Sequence, residues 1–423
     1  MGVPPIAATL LPDVTVLSDD DTTVGGVSLR QLAHDYGTPL FVYDEATLRS
    51  RCREAAGTFD FGVAFASKSF LCGAMARLAF EEGLCIDVAT GGELDIVLRA
   101  GVPANRVIVH GNNKSNDEVE RAIREGVHRL VVDNFDEIER LRARVSPELP
   151  LDVLVRVTPG VEAHTHEFIR TGQEDSKFGF SVTSGDARRA IVMLREIHGV
   201  KVHGVHAHIG SQIFDFDGFK ASLQVLADFT RDDSFDELCV GGGLGVAYVA
   251  GESAPTITEW GRALREVVKE VGLRPTLRLL AEPGRSIVAQ AGVTVYRVGA
   301  IKRVPQRTYL AVDGGMSDNP RPVLYGSGYE AFDVERPLAE RTQAVRIVGK
   351  HCESGDVLVD EAWLPGETGV DSLIVTPVTG AYGYSMASNY NRVPRPAVIF
   401  VRDGVARLVL RRETFDDMAR LEV

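Results

Sequence analysis

The chain has no run of about 18 apolar residues, so no segment reads as a membrane-spanning helix and no membrane partner is expected. Its start, Met1-Gly2-Val3-Pro4-Pro5-Ile6, lacks the basic n-region of a signal peptide, and Ile6 stands where a myristoylation signal wants Ser or Thr. A cytoplasmic protein is the expectation. Cysteine is scarce: Cys52, Cys72, Cys85, Cys239 and Cys352 are odd in number and show no C-x-x-C spacing, which argues against a disulfide framework and a zinc site. The first four read as inert. Basic clusters are missing as well, and a net charge of −13 without a Lys/Arg run argues against a nucleic-acid-binding surface. Repeats and low-complexity tracts are absent. What remains is an ordinary globular composition, 44% hydrophobic and 25% charged, spread over 423 residues, a length at which two domains are expected.

Eight short, apolar runs rich in β-branched residues fill the first two-thirds of the chain, at 62–68, 85–90, 106–111, 128–133, 151–157, 202–208, 237–241 and 276–282. Continuous apolar character suits strands buried on both faces. Amphipathic helical segments separate them, such as 74–83, closed by Gly83, and 116–126, opened by an Asn116 cap. Alternation of this kind calls for parallel strands and an α/β fold, a TIM-like (β/α)8 barrel. Beyond about residue 290 strands arrive without helices, at 293–298, 309–312, 344–348 and 372–375, and a hairpin of 397–401 and 406–410 turns near Asp403-Gly404. The expected division is a barrel over 46–288 and a second, mostly β domain, sandwich- or barrel-like, built from 1–45 and 289–423. The first of these two segments contributes strand-like runs at 14–17 and 40–43.

Barrels of this type keep their chemistry at the C-terminal ends of the strands. The polar residues there are Lys68, Asp87, Arg156, His208, the run Gly241-Gly242-Gly243-Leu244-Gly245, Glu282 and Arg285. Taken singly each has an ordinary reading: a strand-end lysine is a solvated residue, three glycines make a tight turn, and His203 or His206 fills core or surface. Together they suggest pyridoxal phosphate. A lysine amine forms a Schiff base with the cofactor aldehyde, glycines let backbone N–H groups approach its phosphate, and a carboxylate facing the pyridine nitrogen keeps it protonated. A protonated ring accepts the electrons left when a bond at an amino acid's α-carbon breaks.

From about Gly37 onward the chain resembles the diaminopimelate decarboxylases, pyridoxal-phosphate enzymes of fold type III. The resemblance is carried by Thr38-Pro39-Leu40-Phe41-Val42-Tyr43-Asp44, Thr90-Gly91-Gly92-Glu93-Leu94, Gly111-Asn112-Asn113-Lys114, His164-Thr165-His166-Glu167, Lys177-Phe178-Gly179 and His206-Ala207-His208-Ile209-Gly210-Ser211-Gln212. It continues through the glycine run, Glu282-Pro283-Gly284-Arg285, Arg321-Pro322-Val323-Leu324-Tyr325, Cys352-Glu353-Ser354-Gly355-Asp356 and Gly380-Ala381-Tyr382.

The resemblance implies that Lys68 carries the cofactor, His208 stacks on the pyridine ring and Glu282 partners its nitrogen. Asp87, Ser211, Gly241, Gly242, Gly243, Gly284, Arg285 and Tyr382 then surround the cofactor. It also implies that Arg285, Arg321 and Tyr325 hold substrate carboxylates, with Tyr382 near the substrate and Glu353 reading its distal amino group. A guanidinium fork that grips a carboxylate bidentately suits a dicarboxylic amino acid. Cys352 falls on the family's proton donor, supplied by the partner subunit of a homodimer with shared active sites. The implied reaction is decarboxylation of meso-2,6-diaminopimelate to L-lysine, the last step of lysine biosynthesis.

One stretch departs from the pattern, Phe65-Ala66-Ser67-Lys68-Ser69-Phe70 where many relatives read Tyr-Ala-x-Lys-Ala-Asn, although the lysine is kept. Related decarboxylases acting on ornithine, arginine, carboxynorspermidine or D-amino acids share the cofactor motifs, and the Cys352 and Arg321 motifs favour diaminopimelate over them. An alanine racemase would need a second base opposite the lysine. A catalytically silent regulator would be expected to lose Lys68 or Cys352, and both are present.

Overall fold

The computed structural model describes residues 5–161 and 175–423, so the His164-Thr165-His166-Glu167 motif lies outside the described residues. The chain divides into two compact units, one of residues 51–245 and 254–286, the other of 1–50, 246–253 and 287–423. Strand-helix alternation alone would have left 246–253 with the first unit.

In the first unit eight parallel strands follow one another in chain order: Ala64–Ala66, Cys85–Val88, Val107–Val109, Arg129–Val132, Leu151–Thr158, Val200–His206, Glu237–Cys239 and Arg278–Leu280. Each falls within one of the eight apolar runs or overlaps it closely. Backbone hydrogen bonds from Ala64 N to Ala281 O (3.0 Å) and from Ala66 N to Pro283 O (3.1 Å) join the first strand to the end of the last and close the ring. A two-residue strand, Phe180–Ser181, adds itself alongside Leu151–Thr158.

Helix boundaries follow local chemistry. The helix Gly73–Glu81 starts at Cys72, whose sulfur accepts from Met75 N, and Gly83 follows its end with φ 94°. Asn116–Glu125 is opened by Ser115, one residue before the expected Asn116 cap. Ser115 and Glu118 form a reciprocal capping box that satisfies two otherwise orphaned N–H groups, which a cap at Asn116 would not. Gly126 closes the helix in the left-handed region. Cys52, Cys72, Cys85 and Cys239 are buried, and burial pushes the Cys85 and Cys239 thiols upward, away from reactivity.

The second unit is built on a sheet whose main path runs Val357–Leu364, Gln343–Val348, Arg307–Val312, Gly292–Val304, Leu40–Asp44, Ala397–Arg402, Val405–Leu410. Leu40–Asp44 is buried at every residue because it pairs on both sides, antiparallel to Gly292–Val304 and parallel to Ala397–Arg402. The expected hairpin turns through Asp403 (φ 52°) and Gly404 (φ 77°), a two-residue loop with both central residues left-handed. Thr15–Leu17 belongs to a separate three-stranded sheet.

Candidate active site

Seven barrel strands contribute one residue each to a buried cluster, Ala64, Cys85, Ile108, Val131, Leu154, Cys239 and Leu280. Side chains alternate along a strand, so the next position on the same face lies two residues further toward the C-terminal end. Those positions hold Ala66, Asp87, His110, Asp133, Arg156, Gly241 and Glu282, and the sixth strand ends at His206. The charged and imidazole members are all buried. An apolar layer thus carries a polar one, at the end of the barrel where chemistry is expected.

Glu282 is the centre of the polar layer. His110 Nε2 lies 2.8 Å from Glu282 Oε1 and His206 Nε2 lies 2.9 Å from Oε2, with the two imidazoles edge to face at 4.9 Å. Burial would raise the Glu282 carboxyl, but the two histidines outweigh it and hold the group well below the usual carboxylate range. Asp87, 3.8 Å from His110, gains less from its neighbours, and burial lifts it to about 6. Arg156 lies over the Phe178 ring at 4.2 Å and 3.6 Å from Asp133.

Lys68 sits in the short turn Ser67–Ser69 just past the first strand, exposed, and near enough to Asp87 and His208 to act on both electrostatically. His208 is partly buried and accepts a hydrogen bond from Gly242 N at its Nδ1 (3.2 Å). Desolvation, then the charges of Lys68 and Arg156, press its imidazole well below the ordinary value, so it is neutral.

The glycine run is sterically required. A Cβ at Gly241 would stand 2.5 Å from Ala207 O, at Gly242 2.2 Å from Glu282 O, and at Gly243 2.3 Å from Gly210 O. Gly241 and Gly243 also adopt positive φ, 68° and 116°. The run is threaded between the loops that follow the sixth and eighth strands, with no side chain to cover its backbone. Arg285 Nη2 donates to Ser211 Oγ at 2.9 Å, and a Cβ at Gly284 would meet Ala66 Cβ at 2.9 Å.

The remaining expected site residues lie in the second unit. The helix Arg321–Tyr325 begins with a buried arginine, whose guanidinium lies 4.0 Å above the Tyr248 ring and donates to Tyr329 Oη (2.5 Å) and Ser327 Oγ (3.1 Å). Tyr382 is close enough to act on Arg321 electrostatically and holds φ 57°, a left-handed conformation that costs a tyrosine energy. Cys352 and Glu353 are exposed. Their loop is anchored from behind: Asn391 Oδ1 accepts from Cys352 N (3.1 Å), His351 Nε2 meets Ser317 Oγ (2.8 Å), and Asp356 accepts from His351 N (2.9 Å) and Met316 N (2.6 Å). Among the described residues, no polar contact of Cys352 or Glu353 reaches Arg321 or Tyr325.

Lys68, Asp87, Arg156, His208, Ser211, the glycines, Glu282, Gly284 and Arg285 therefore gather in one unit, while Arg321, Tyr325, Cys352, Glu353 and Tyr382 sit in the other. Four neighbours escaped the sequence reading. His206, taken as filler, is a direct partner of Glu282, and His110, at the end of the third run, is the other. The two-residue step from the apolar layer would have found both. Tyr248 and Tyr329, which orient Arg321, are distant in sequence and left no such signal.

A closed parallel barrel with a lysine past its first strand, a glycine cradle after its seventh and a carboxylate past its eighth defines a pyridoxal-phosphate-binding barrel. Residues 45–289 match the family described as pyridoxal-dependent decarboxylase, pyridoxal binding domain. The diaminopimelate decarboxylase of Mycobacterium bovis is 47% identical over 423 residues, covering 95% of this chain and 94% of its own, and that of Bacillus subtilis is 46% identical over 416 residues with the same coverage. The crystal structure of the M. jannaschii diaminopimelate decarboxylase in complex with L-lysine superposes with a TM-score of 0.90 at 31% identity, covering 97% of this chain and 98% of that one. The chain belongs to the pyridoxal-dependent decarboxylase family, with the diaminopimelate decarboxylases, and its cofactor is pyridoxal phosphate.

Proposed function

We propose that the protein removes one carboxylate from meso-2,6-diaminopimelate, releasing carbon dioxide and L-lysine in the last step of lysine biosynthesis. The observation that carries this reading is the 47% identity, over 95% of the chain, with a protein named diaminopimelate decarboxylase.

The barrel residues fit the cofactor. A backbone cradle with no room for a Cβ, an exposed amine at the rim and a carboxylate held anionic are what its phosphate, aldehyde and ring nitrogen each require. When bound, pyridoxal phosphate supplies an electron sink for the pair released at the substrate's α-carbon. Lys68 would anchor it covalently, and neutral His208, oriented by Gly242 N, would lie against its ring. Glu282, held as an anion, would partner the ring nitrogen and keep a proton on it. The phosphate would be taken at the Gly241-Gly242-Gly243 run with Ser211, and Asp87, Gly284, Arg285 and Tyr382 would complete the surroundings.

Arg285, Arg321 and Tyr325 hold the substrate carboxylates, Tyr382 lies near the substrate, and Glu353 takes the distal ammonium. The Arg321 guanidinium, stacked on Tyr248 and steered by Tyr329 and Ser327, supports its part in this reading, because its fork is already oriented before a carboxylate arrives. The partner subunit's Cys352 returns a proton to the α-carbon after carbon dioxide leaves, in a two-fold dimer with two shared sites. Exposure of Cys352 on an anchored loop supports this placement.

The test is carbon dioxide release by the purified protein from meso-diaminopimelate beside ornithine, arginine and lysine. Release from diaminopimelate alone is expected. Faster release from ornithine or arginine would move the protein to a neighbouring decarboxylase class.

A further inference from the structure

We propose that His110 and His206 are positioning residues that clamp Glu282 through their Nε2–H groups, fixing it as an anion aimed at the place of the cofactor's ring nitrogen. The proposal rests on the reading that Glu282 faces that nitrogen.

The geometry is a two-sided grip. One imidazole from the end of the third strand holds Oε1 at 2.8 Å and one from the sixth strand holds Oε2 at 2.9 Å, so the carboxylate cannot rotate without losing a bond. An ionised carboxylate only accepts, so both Nε2 atoms carry protons. Among the described residues His206 Nδ1 is buried with no hydrogen-bond partner, so the ring is held through Nε2 alone. Each Glu282 oxygen accepts one bond from a histidine and keeps a lone pair for the ring N–H.

The same three side chains could suggest a metal site, since their ligand atoms lie within 4.8 Å of one another. Nitrogen and oxygen atoms bound at 2.0–2.2 Å to one tetrahedral ion stand about 3.3 Å apart, however, and contacts of 2.8 and 2.9 Å are direct hydrogen bonds with no ion between.

His206 and His208 also divide labour along one strand end: the first serves the carboxylate, the second the ring face. Asp87, Arg156, His208 and Cys239 also face Glu282 electrostatically, and Lys68 faces Asp87 and His208. Only the two histidines contact its oxygens among these groups. Without them, burial and the Asp87 charge favour the protonated acid, so the proton affinity of Glu282 rises.

The experiment uses the holoenzyme with His110→Met and His206→Met, which delete the donor at similar size, and His110→Gln and His206→Gln, whose amide N–H stands near the place of Nε2. The Met variants should each retain cofactor about 10-fold or more less tightly in dialysis. They should also lower kcat with KM nearly unchanged, and move the acid limb of kcat/KM to higher pH; the Gln variants should recover most of both effects. Folded Met variants with wild-type cofactor retention and an unmoved acid limb overturn the clamp.

Glu282→Gln, measured alongside, separates the two ideas: if it too matches wild type, the reading of Glu282 itself fails, and if it is impaired while the Met variants are not, only the clamp fails. Should the Met variants not fold, nitrogen-15 histidine NMR of the wild-type protein decides. His206 must carry a proton on Nε2, and an unprotonated Nε2 overturns the proposal.

Discussion

Lys68 offers the most direct test at the level of one residue, because it is exposed at the barrel rim beside the buried Asp87. Lys68→Ala should lose the visible absorption of the bound cofactor and multiple turnover together; a variant that keeps normal turnover removes Lys68 from the chemistry. Arg321→Ala should lower kcat/KM for diaminopimelate by roughly 30- to 5,000-fold, the equivalent of about 2–5 kcal/mol for a desolvated charge that loses its partner. An unchanged ratio would exclude the carboxylate role.

Asp318 makes a pH prediction. It is buried, accepts from Tyr296 Oη (2.5 Å) and Gly315 N (2.7 Å), and burial raises its carboxyl from 3.8 to about 7. A folded-state value above the unfolded one means that the fold prefers the protonated acid. Stability is then lost as pH rises from about 4 to about 7, and no more is lost from this group above that. Asp318→Asn should lack this loss, so the melting temperature of the variant relative to wild type should be higher at pH 8 than at pH 5. A difference independent of pH would show that Asp318 is ionised throughout.

Among the elements, the eight barrel strands were legible because each is buried on both faces and so reads as an unbroken apolar run, and the Asp403-Gly404 hairpin was legible because its turn needs two left-handed residues. Features that depend on a neighbouring element were not. Nothing in the run 202–208 announces the register shift at His203 against Leu151–Thr158, or the close approach of Gly204 to the next strand, where a Cβ would overlap Glu237 O. The grouping of 246–253 with the second unit is likewise tertiary.

The start of Asn116–Glu125 shows the same division between local and tertiary signals. Its capping box is local chemistry, but Glu118 Oε1 also accepts from Gly91 N at 2.6 Å, which ties the first turn of the preceding helix to this one. Ser115→Ala should cost about 1 kcal/mol. Glu118→Ala unties two helix starts and should cost more, about 1–3 kcal/mol, read as a larger drop in urea midpoint. Equal costs would mean that the link to Gly91 contributes nothing.

At the scale of the molecule, stability and chemistry occupy opposite ends of the barrel. At the N-terminal ends of the strands Glu237 is fully buried, bridged by Arg129 at 3.0 and 2.5 Å and by Arg278, and Glu237→Ala should cost about 3–5 kcal/mol by stranding two cations. Cofactor affinity of the folded fraction should not change. The C-terminal ends hold the proposed cofactor residues, and the proton donor is proposed to come from a second chain. If Lys68 serves with the partner subunit's Cys352, Lys68→Ala and Cys352→Ala proteins are each nearly inactive alone, because every site in either homodimer lacks one member. Mixed and allowed to exchange, about half the dimers become heterodimers, in which one site carries both lesions and the other carries none. Activity should then rise toward about a quarter of wild type. Exchange confirmed by mass, with no activity regained, would place Lys68 and Cys352 of one chain in the same site and remove the dimer from the chemistry.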